Sequence, residues 1–324
     1  MKKILFVLFL AGCASVNPLS KETTYAQDLV VTTPEANSRE ISVEGTQPPK
    51  SFPVSANQEY LIGKDSVIGM VRYYSVMKND SLIEIARMFN LGFNSIEDAN
   101  PGLDPFVPPV DTRVIVSTEW VLPAVKVREG IIINIPEMRL YFFPYKNSRF
   151  VYTFPIGIGD DGKETPTGTY SISQKRAQPY WYVPKSIRKE DPKLPDVVPP
   201  GPENPLGTHA LRLSASSILI HGTNRPWGIG RKVSHGCIHL YPEDIPWLFK
   251  RVKKGTRVTI VKQPVKAGTR GNRVYLQVHN HGNMNYLREA LTVLGRQNLI
   301  SRVNPAKIKQ AVSERTGIPV VISD

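Results

Sequence analysis

From Val125 to Val261 one pattern recurs, and it restricts the possible folds more than any other feature of the chain. Short apolar or alternating runs are separated by glycine and proline turns: GIIINIP, RLYFFP, FVYTFPIG, GTYSIS, ALRLS, SILIHG and TRVTIV. Runs of this kind read as strands. They predict a mainly β domain, a sandwich or barrel, over residues 125–262. Between Gln178 and Leu206 the pattern gives way to a proline-rich insertion containing YWYVP and LPDVVPPGPENP. Such an insertion reads as a lid or loop beside a site.

The chain has 324 residues, 41% hydrophobic and 21% charged, which suffices for one or two domains with real cores. Its 28 prolines point to rigid loops rather than a helical bundle. The beginning, MKKILFVLFLAGC, places Lys2 and Lys3 before an apolar run from Ile4 to Ala11. That run is too short to span a bilayer as a helix, which takes about 20 residues. A basic start, a short apolar stretch and small residues read as an export signal. Leu10-Ala11-Gly12-Cys13 resembles the lipobox of bacterial lipoproteins. The resemblance implies that residues 1–13 are a signal peptide and that Cys13 is lipidated. Ala14 after it resembles the sorting signal for an outer membrane, so a periplasmic protein on a lipid anchor is expected.

Whether Cys13 is lipidated or removed with the signal, Cys237 remains the one thiol of the mature chain. Exported proteins generally use cysteines in disulfide pairs. A lone cysteine is a reactive-thiol candidate, to be weighed against a small buried hydrophobe.

Residues 14–58 are polar without a sustained period and read as a flexible tether. Residues 60–118 read as a small α+β unit. VRYYSV has strand composition, Asn79-Asp80 is a turn signal, and Ser81 with Glu84 forms a capping box. Leu82, Ile85, Ala86 and Phe89 share one helical face. A second short helix around NSIEDAN ends at Asn100-Pro101, and RVIVS closes the unit as a strand. These positions, with Tyr74, Val76 and Ile96, resemble a LysM domain. The resemblance implies a peptidoglycan-binding module, with Asn79 where glycine is usual.

The segment 263–324 is read as a short α-containing C-terminal subdomain. An amphipathic helix is expected over Met284 to Gln297, and a second from Pro305, followed by the strand-like IPVVIS. From Lys250 to Asp324 there are 15 Lys or Arg and 3 Asp or Glu, which accounts for nearly all of the chain's net charge of +13. Such a segment favours anionic polymers or lipid headgroups, or is simply a solvated basic face. Nucleic acid is not expected as a partner of an exported protein.

The chemistry concentrates in ILIHGTNRPWGIGRKVSHGCIHL, from Ile218 to Leu240. It brings His221, His235, Cys237 and His239 within nineteen residues of a chain with only six histidines. Taken as a metal set, His235, Cys237 and His239 alternate and would share one face of a strand, with His221 as fourth ligand. The spacings match no familiar metal signature, and the stretch has no carboxylate, so no metal or other cofactor is expected. Taken as a nucleophile, Cys237 needs a histidine to accept its proton. Gly236 lets the backbone turn and exposes the sulfur, and amides around His235, Gly236 and Cys237 could face an oxyanion. The Gly222 carbonyl is a candidate to orient His221.

HGT at 221–223 followed by SHGC at 234–237 resembles the catalytic signature of the L,D-transpeptidases, the YkuD-like domain. Pro155 to Gly157 and Thr165 to Gly168 resemble two further segments of that family. The likeness spans about 130–262. It implies that Cys237 attacks a peptidoglycan tetrapeptide stem after meso-diaminopimelate, releasing D-alanine and forming a thioester. His221 is then the base, oriented by Gly222; His235 and Gly236 shape the oxyanion pocket, and Ser234 supports it. The acceptor is a diaminopimelate amine, a free D-amino acid, or the lysine of a small lipoprotein. The rival readings are an L,D-carboxypeptidase with the same site and a non-catalytic peptidoglycan-binding lipoprotein.

One departure stands out: His239 occupies the position where the family usually has arginine. A substrate contact made by that arginine would be weaker and pH-dependent with histidine. The stretch from Gly157 to Lys163 has the spacing of a phosphate loop, but Glu164 replaces the hydroxyl residue, so it reads as a turn. His209, His279 and His281 carry no motif and read as surface or satisfied core residues.

Overall fold

The computed structural model describes residues 59–324 apart from Asn147. The expected signal peptide, Cys13 and the tether fall outside the described residues. Among the described residues no helix is long and apolar enough to cross a membrane.

All seven expected runs enter one mainly β structure, a nine-stranded sheet. From one edge its strands are Glu59–Leu61, Phe150–Pro155, Arg139–Phe143, Gly130–Asn134 and Arg257–Val261. Gly168–Ala177, His209–Leu213, Leu219–His221 and Ile238–His239 complete it. Two neighbouring pairs are parallel, Gly130–Asn134 with Arg257–Val261 and Leu219–His221 with Ile238–His239; the rest are antiparallel. The sheet curls onto itself. The Gly157 amide donates to the His239 carbonyl at 3.0 Å, and the His239 amide donates back at 2.9 Å. Chain leaving a strand near one edge thus meets the strand at the other edge. The enclosed face makes a single core, to which Ile131, Ile133, Phe142, Phe154, Leu211, Ile220, Ile238 and Ile260 contribute.

Gly130–Asn134 and Arg139–Phe143 are buried at every position, because their outer face is covered as well. Ile132, Tyr141, Phe143 and Val151 pack against Tyr74, Leu82, Ile85 and Ile96 of the unit that precedes them. This is why these two stretches are continuous apolar runs rather than alternating ones.

That unit is the expected strand–helix–helix–strand. Val71–Ser75 pairs antiparallel with Arg113–Ser117, and between them lie the helices Leu82–Met88 and Phe93–Ala99. Ser81 caps the first helix, accepting from the Glu84 amide at 3.2 Å while its hydroxyl donates to the Glu84 carboxylate at 3.0 Å. Asn79 adopts the left-handed φ of 71° that the tight turn requires. Asn100 ties the end of the second helix to the closing strand, exchanging hydrogen bonds with Ile115 at 2.7 and 2.9 Å.

The seam between this unit and the sheet is polar at a few defined places. Arg139 is fully buried and donates to Thr153 Oγ1 at 2.9 Å and to the Asn90 carbonyl at 3.1 Å, with its guanidinium 4.0 Å from the Trp120 ring centre. Asn90 donates to the Thr153 carbonyl at 2.9 Å. Arg87 grips Glu243 in a two-pronged ion pair at 2.8 and 2.7 Å.

The C-terminal segment contains the expected helices, Tyr286–Arg296 and Pro305–Glu314. It also contains a hairpin that the sequence pattern did not reveal, Val265–Arg270 with Arg273–Val278, turning on Gly271 and Asn272, with Val320–Val321 added alongside. Part of the basic charge of this segment is internal. Lys266 is buried and donates to the Glu137 carboxylate at 2.8 Å and to the Val121 carbonyl, holding the Glu137 carboxyl below its usual range. Arg270 likewise pairs with Glu119.

Candidate active site

Strand register determines which side chains meet. His221 is paired with His239 across the parallel ladder and with Ala210 across the antiparallel one. Arg212 is opposite both Leu219 and Gln174, and Ala210 is opposite Arg176. Directly paired residues project to the same face, and side chains alternate along each strand. One face therefore carries Cys237, His239, His221, Leu219, Arg212 and Arg176. The opposite face carries Ile238, Ile220 and Leu211, all in the core. The alternation of Cys237-Ile238-His239 thus sends a thiol and an imidazole to one side while the isoleucine anchors their strand.

The turn that delivers the thiol is built for the purpose. Gly236 has φ of 97°, and a Cβ there would come within 3.1 Å of the Ile218 side chain. Ser234 is buried and its hydroxyl donates to the Cys237 carbonyl at 2.6 Å, closing the four-residue turn. Thr165 braces it from the other side: its hydroxyl donates to the Gly236 carbonyl at 3.0 Å and accepts from the Gly159 amide at 3.0 Å. Sequence reasoning did not assign Thr165 a role, although Thr-Pro-x-Gly was noted as a motif. Among the described residues the Gly236 and Cys237 amides donate to no backbone carbonyl in the turn. The stretch Gly157–Lys163 forms the short strand Ile158–Gly159, paired with Lys232–Ser234, and a turn beside the nucleophile loop.

Cys237 Sγ accepts from the Leu219 amide at 3.4 Å. Burial pushes its thiol above the usual range, with the Leu219 amide and the Arg212 charge acting in the opposite sense. His221 is buried, and its Nδ1 is 2.6 Å from the Gly222 carbonyl. A carbonyl only accepts, so Nδ1 carries the proton and Nε2 is the basic nitrogen. Burial and the neighbouring His239 hold the His221 imidazole well below its usual range. His239 is pushed down to about 4 by burial, and its ring centre is 4.5 Å from that of His221. Near neutral pH the thiol and both imidazoles are therefore uncharged.

A cavity of about 730 Å³ opens over this face. Its other wall is the insertion, which forms a two-stranded ribbon, Trp181–Tyr182 with Val197–Val198, and the helix Lys185–Glu190. Tyr180, Trp181 and Tyr182 contribute aromatic surface to it. Glu190, the last residue of that helix, meets Lys163 at 2.7 Å and His235 Nε2 at 2.9 Å. The His235 side chain is thus half exposed and engaged with the insertion, while its backbone stands in the turn that leads to Cys237. Lys163 and Glu190 had no sequence signal, because they are 27 residues apart and joined only by the fold. Of the remaining histidines, His209 stacks on Phe249 at 4.5 Å and His281 is partly exposed. His279 is buried, and its Nε2 has no hydrogen-bond partner among the described residues.

Comparison with known proteins agrees with this geometry. Residues 128–260 match the family model described as the L,D-transpeptidase catalytic domain. The chain is 42% identical to "Probable L,D-transpeptidase YcfS" of Escherichia coli K12, over 71% of this chain and 74% of that protein. It is 36% identical to "Probable L,D-transpeptidase YbiS" of the same strain, over 83% of this chain and 91% of that one. It is 34% identical to "Probable L,D-transpeptidase ErfK/SrfK" of Salmonella typhimurium LT2, over 84% and 91% of the two chains.

Proposed function

The chain belongs to the L,D-transpeptidase family, and from that premise we propose that Cys237 is its nucleophile and His221 its general base, acting on peptidoglycan stem peptides. The observation that carries this reading is the shared face: Cys237 and His221 project from adjacent parallel strands into one cavity, and the Gly222 carbonyl holds the His221 tautomer with Nε2 basic.

With thiol and imidazole both neutral at rest, the proton leaves sulfur as the new bond forms. Sγ attacks the carbonyl carbon that links meso-diaminopimelate to the terminal D-alanine. A C–S bond forms, the thiol proton passes to His221 Nε2, and the carbonyl oxygen takes the negative charge. The Gly236 and Cys237 amides, uncommitted in the turn, are suited to receive that oxygen. Collapse breaks the C–N bond, and the proton goes from His221 to the departing amine, leaving a thioester. An acceptor amine then attacks the thioester, gives its proton to His221, and forms the new peptide bond as sulfur leaves and regains a proton. A diaminopimelate side chain, a D-amino acid or a lipoprotein lysine can serve as that amine. Water in its place gives carboxypeptidase action.

The strand–helix–helix–strand unit serves as a LysM-like contact to glycan in this reading, and the N-terminal segment as an export signal with Cys13 lipidated, holding the enzyme in the periplasm at the outer membrane. The test is incubation of the mature protein and Cys237→Ala with purified muropeptides, followed by mass spectrometry. Cross-linked dimers and an acyl-enzyme adduct on Cys237 are expected, both lost in the variant. Tripeptides alone would shift the assignment to the carboxypeptidase, and products surviving Cys237→Ala would refute the nucleophile.

A further inference from the structure

His239 brings no charge to the site, since an imidazole held at about 4 is neutral in the working range. The face nevertheless carries a cation close to the sulfur. Arg212 stands opposite Leu219, and Leu219 is the residue whose amide contacts Cys237 Sγ at 3.4 Å. Its side chain is exposed on the same wall of the cavity. Among the described residues no carboxylate pairs with it, and the acid on the facing helix, Glu190, is engaged by Lys163 and His235. Its charge acts on the thiol in the direction that favours the thiolate. A guanidinium left unpaired beside a nucleophile, in a cavity whose facing acid is already engaged, is suited to an incoming carboxylate, which it can hold with two parallel hydrogen bonds.

We propose that Arg212 is a specificity-determining residue that binds a free carboxylate of the donor stem adjoining the bond Cys237 attacks. This rests on the assignment of Cys237 and the stem-peptide donor. Two carboxylates of such a stem adjoin that bond, the terminal one on the departing residue and the free one on the diaminopimelate side chain. Arg212 makes the enzyme selective for donors that retain the one it holds.

The experiment compares a tetrapeptide donor with two analogues, one with a terminal carboxamide and one with the diaminopimelate side-chain carboxylate amidated. Each is assayed with the mature protein, Arg212→Gln, Arg212→Lys and Arg176→Gln, and the kcat/KM ratio of acid to amide is read. The unmodified enzyme is expected to prefer the acid by about tenfold or more at one of the two positions, as one charge-assisted pair provides. Arg212→Gln brings that ratio close to one, and Arg212→Lys keeps part of it. The position at which the ratio collapses identifies the carboxylate. An unchanged ratio in Arg212→Gln, an equal loss for acid and amide donors, or collapse in Arg176→Gln instead would each overturn the proposal while leaving Cys237 in place. No product from any donor with the unmodified enzyme would overturn the functional reading and this proposal together.

Discussion

The two sides of the same sheet are bordered by arginines under opposite conditions. On the face covered by the strand–helix–helix–strand unit, Arg139 and Arg87 have protein partners: Thr153 and the Asn90 carbonyl for one, the Glu243 carboxylate for the other. On the cavity face, Arg212, Arg176 and Arg225 are exposed, and no carboxylate pairs with them among the described residues. The first arrangement is a seam in which Arg87 has a counter-charge and two nitrogens of the buried Arg139 have hydrogen-bond acceptors, with Arg139 Nε left over. The second is an unfinished one, whose partner arrives from outside. The histidines divide in a related way. His221 and His239 stand side by side at the cavity, while His279 is enclosed beneath the hairpin with one nitrogen unpartnered.

The largest effects belong to the cavity face and touch activity rather than stability. His221→Ala is expected to lower kcat/KM for acyl-enzyme formation about a thousandfold, the typical contribution of a positioned general base. The melting temperature should stay within about 3 °C of the parent, because removing a buried imidazole that is neutral costs little beyond its packing. Comparable loss of activity and stability would mean that the cavity face is as structural as the covered one.

Much of this face was legible in the sequence because strand chemistry is periodic. Cys237-Ile238-His239 alternates, so thiol and imidazole had to share a side once the stretch was a strand. The parallel pairing of His221 with His239 was not legible, because the sixteen-residue connection between their strands carries no register information. The covered face was read only in half. GIIINIP and RLYFFP announced strands, but a continuous apolar run does not say what lies over its second side. The burial of Lys266 against Glu137 was not legible, since composition counts charges and cannot see their partners. Thr165, Lys163 and Glu190 escaped for the same reason, being joined to the nucleophile turn only by the curl of the sheet.

Next in size are two effects on the covered side. Arg139→Ala removes a fully buried side chain with two hydrogen bonds and a stacked ring, and strands the Asn90 carbonyl. A loss of about 3 kcal/mol in urea unfolding is expected; less than about 0.5 kcal/mol would show that the seam is held by its apolar contacts alone. The second effect is acid destabilisation. His279 is buried and held at about 4, chiefly by burial, with Lys266 and Arg139 adding to it and Glu137 opposing. In the unfolded chain a histidine titrates near 6.5. Between those values the unfolded state binds the extra proton, so stability is full above about pH 6.5 and falls as pH drops towards 4. The expected loss from His279 alone is on the order of 3 kcal/mol. His221 and His239 are depressed in the same direction and add to it. His279→Asn should therefore flatten, but not abolish, the fall in unfolding free energy between pH 7 and pH 4.5. An identical slope in the variant would remove His279 from the account.

The smallest expected effect tests whether the two faces are coupled. Arg87 and Glu243 are only about one-fifth exposed, at 22% and 16% of their side-chain surface, and their geometry is two-pronged. Glu243 directly precedes the helix Asp244–Arg251, four residues beyond His239 at the end of the strand that follows Cys237. The covering unit also touches the catalytic loop itself: the Phe93 amide donates to the Ile229 carbonyl at 3.0 Å, and a Cβ on Gly230 would come within 2.1 Å of the Phe93 nitrogen. A double-mutant cycle of Arg87→Ala and Glu243→Ala should give a coupling energy of about 1 kcal/mol, at the upper end for a pair that remains partly solvated. If the unit also positions the loop, Arg87→Ala lowers kcat two- to threefold, a change of roughly half a kcal/mol, with KM for a short stem peptide unchanged. Such a substrate carries no glycan, so a change in kcat reports the loop and a change in KM would not. A kcat identical to the parent, with the coupling energy intact, would confine the seam to stability and leave the cavity face to set its own geometry.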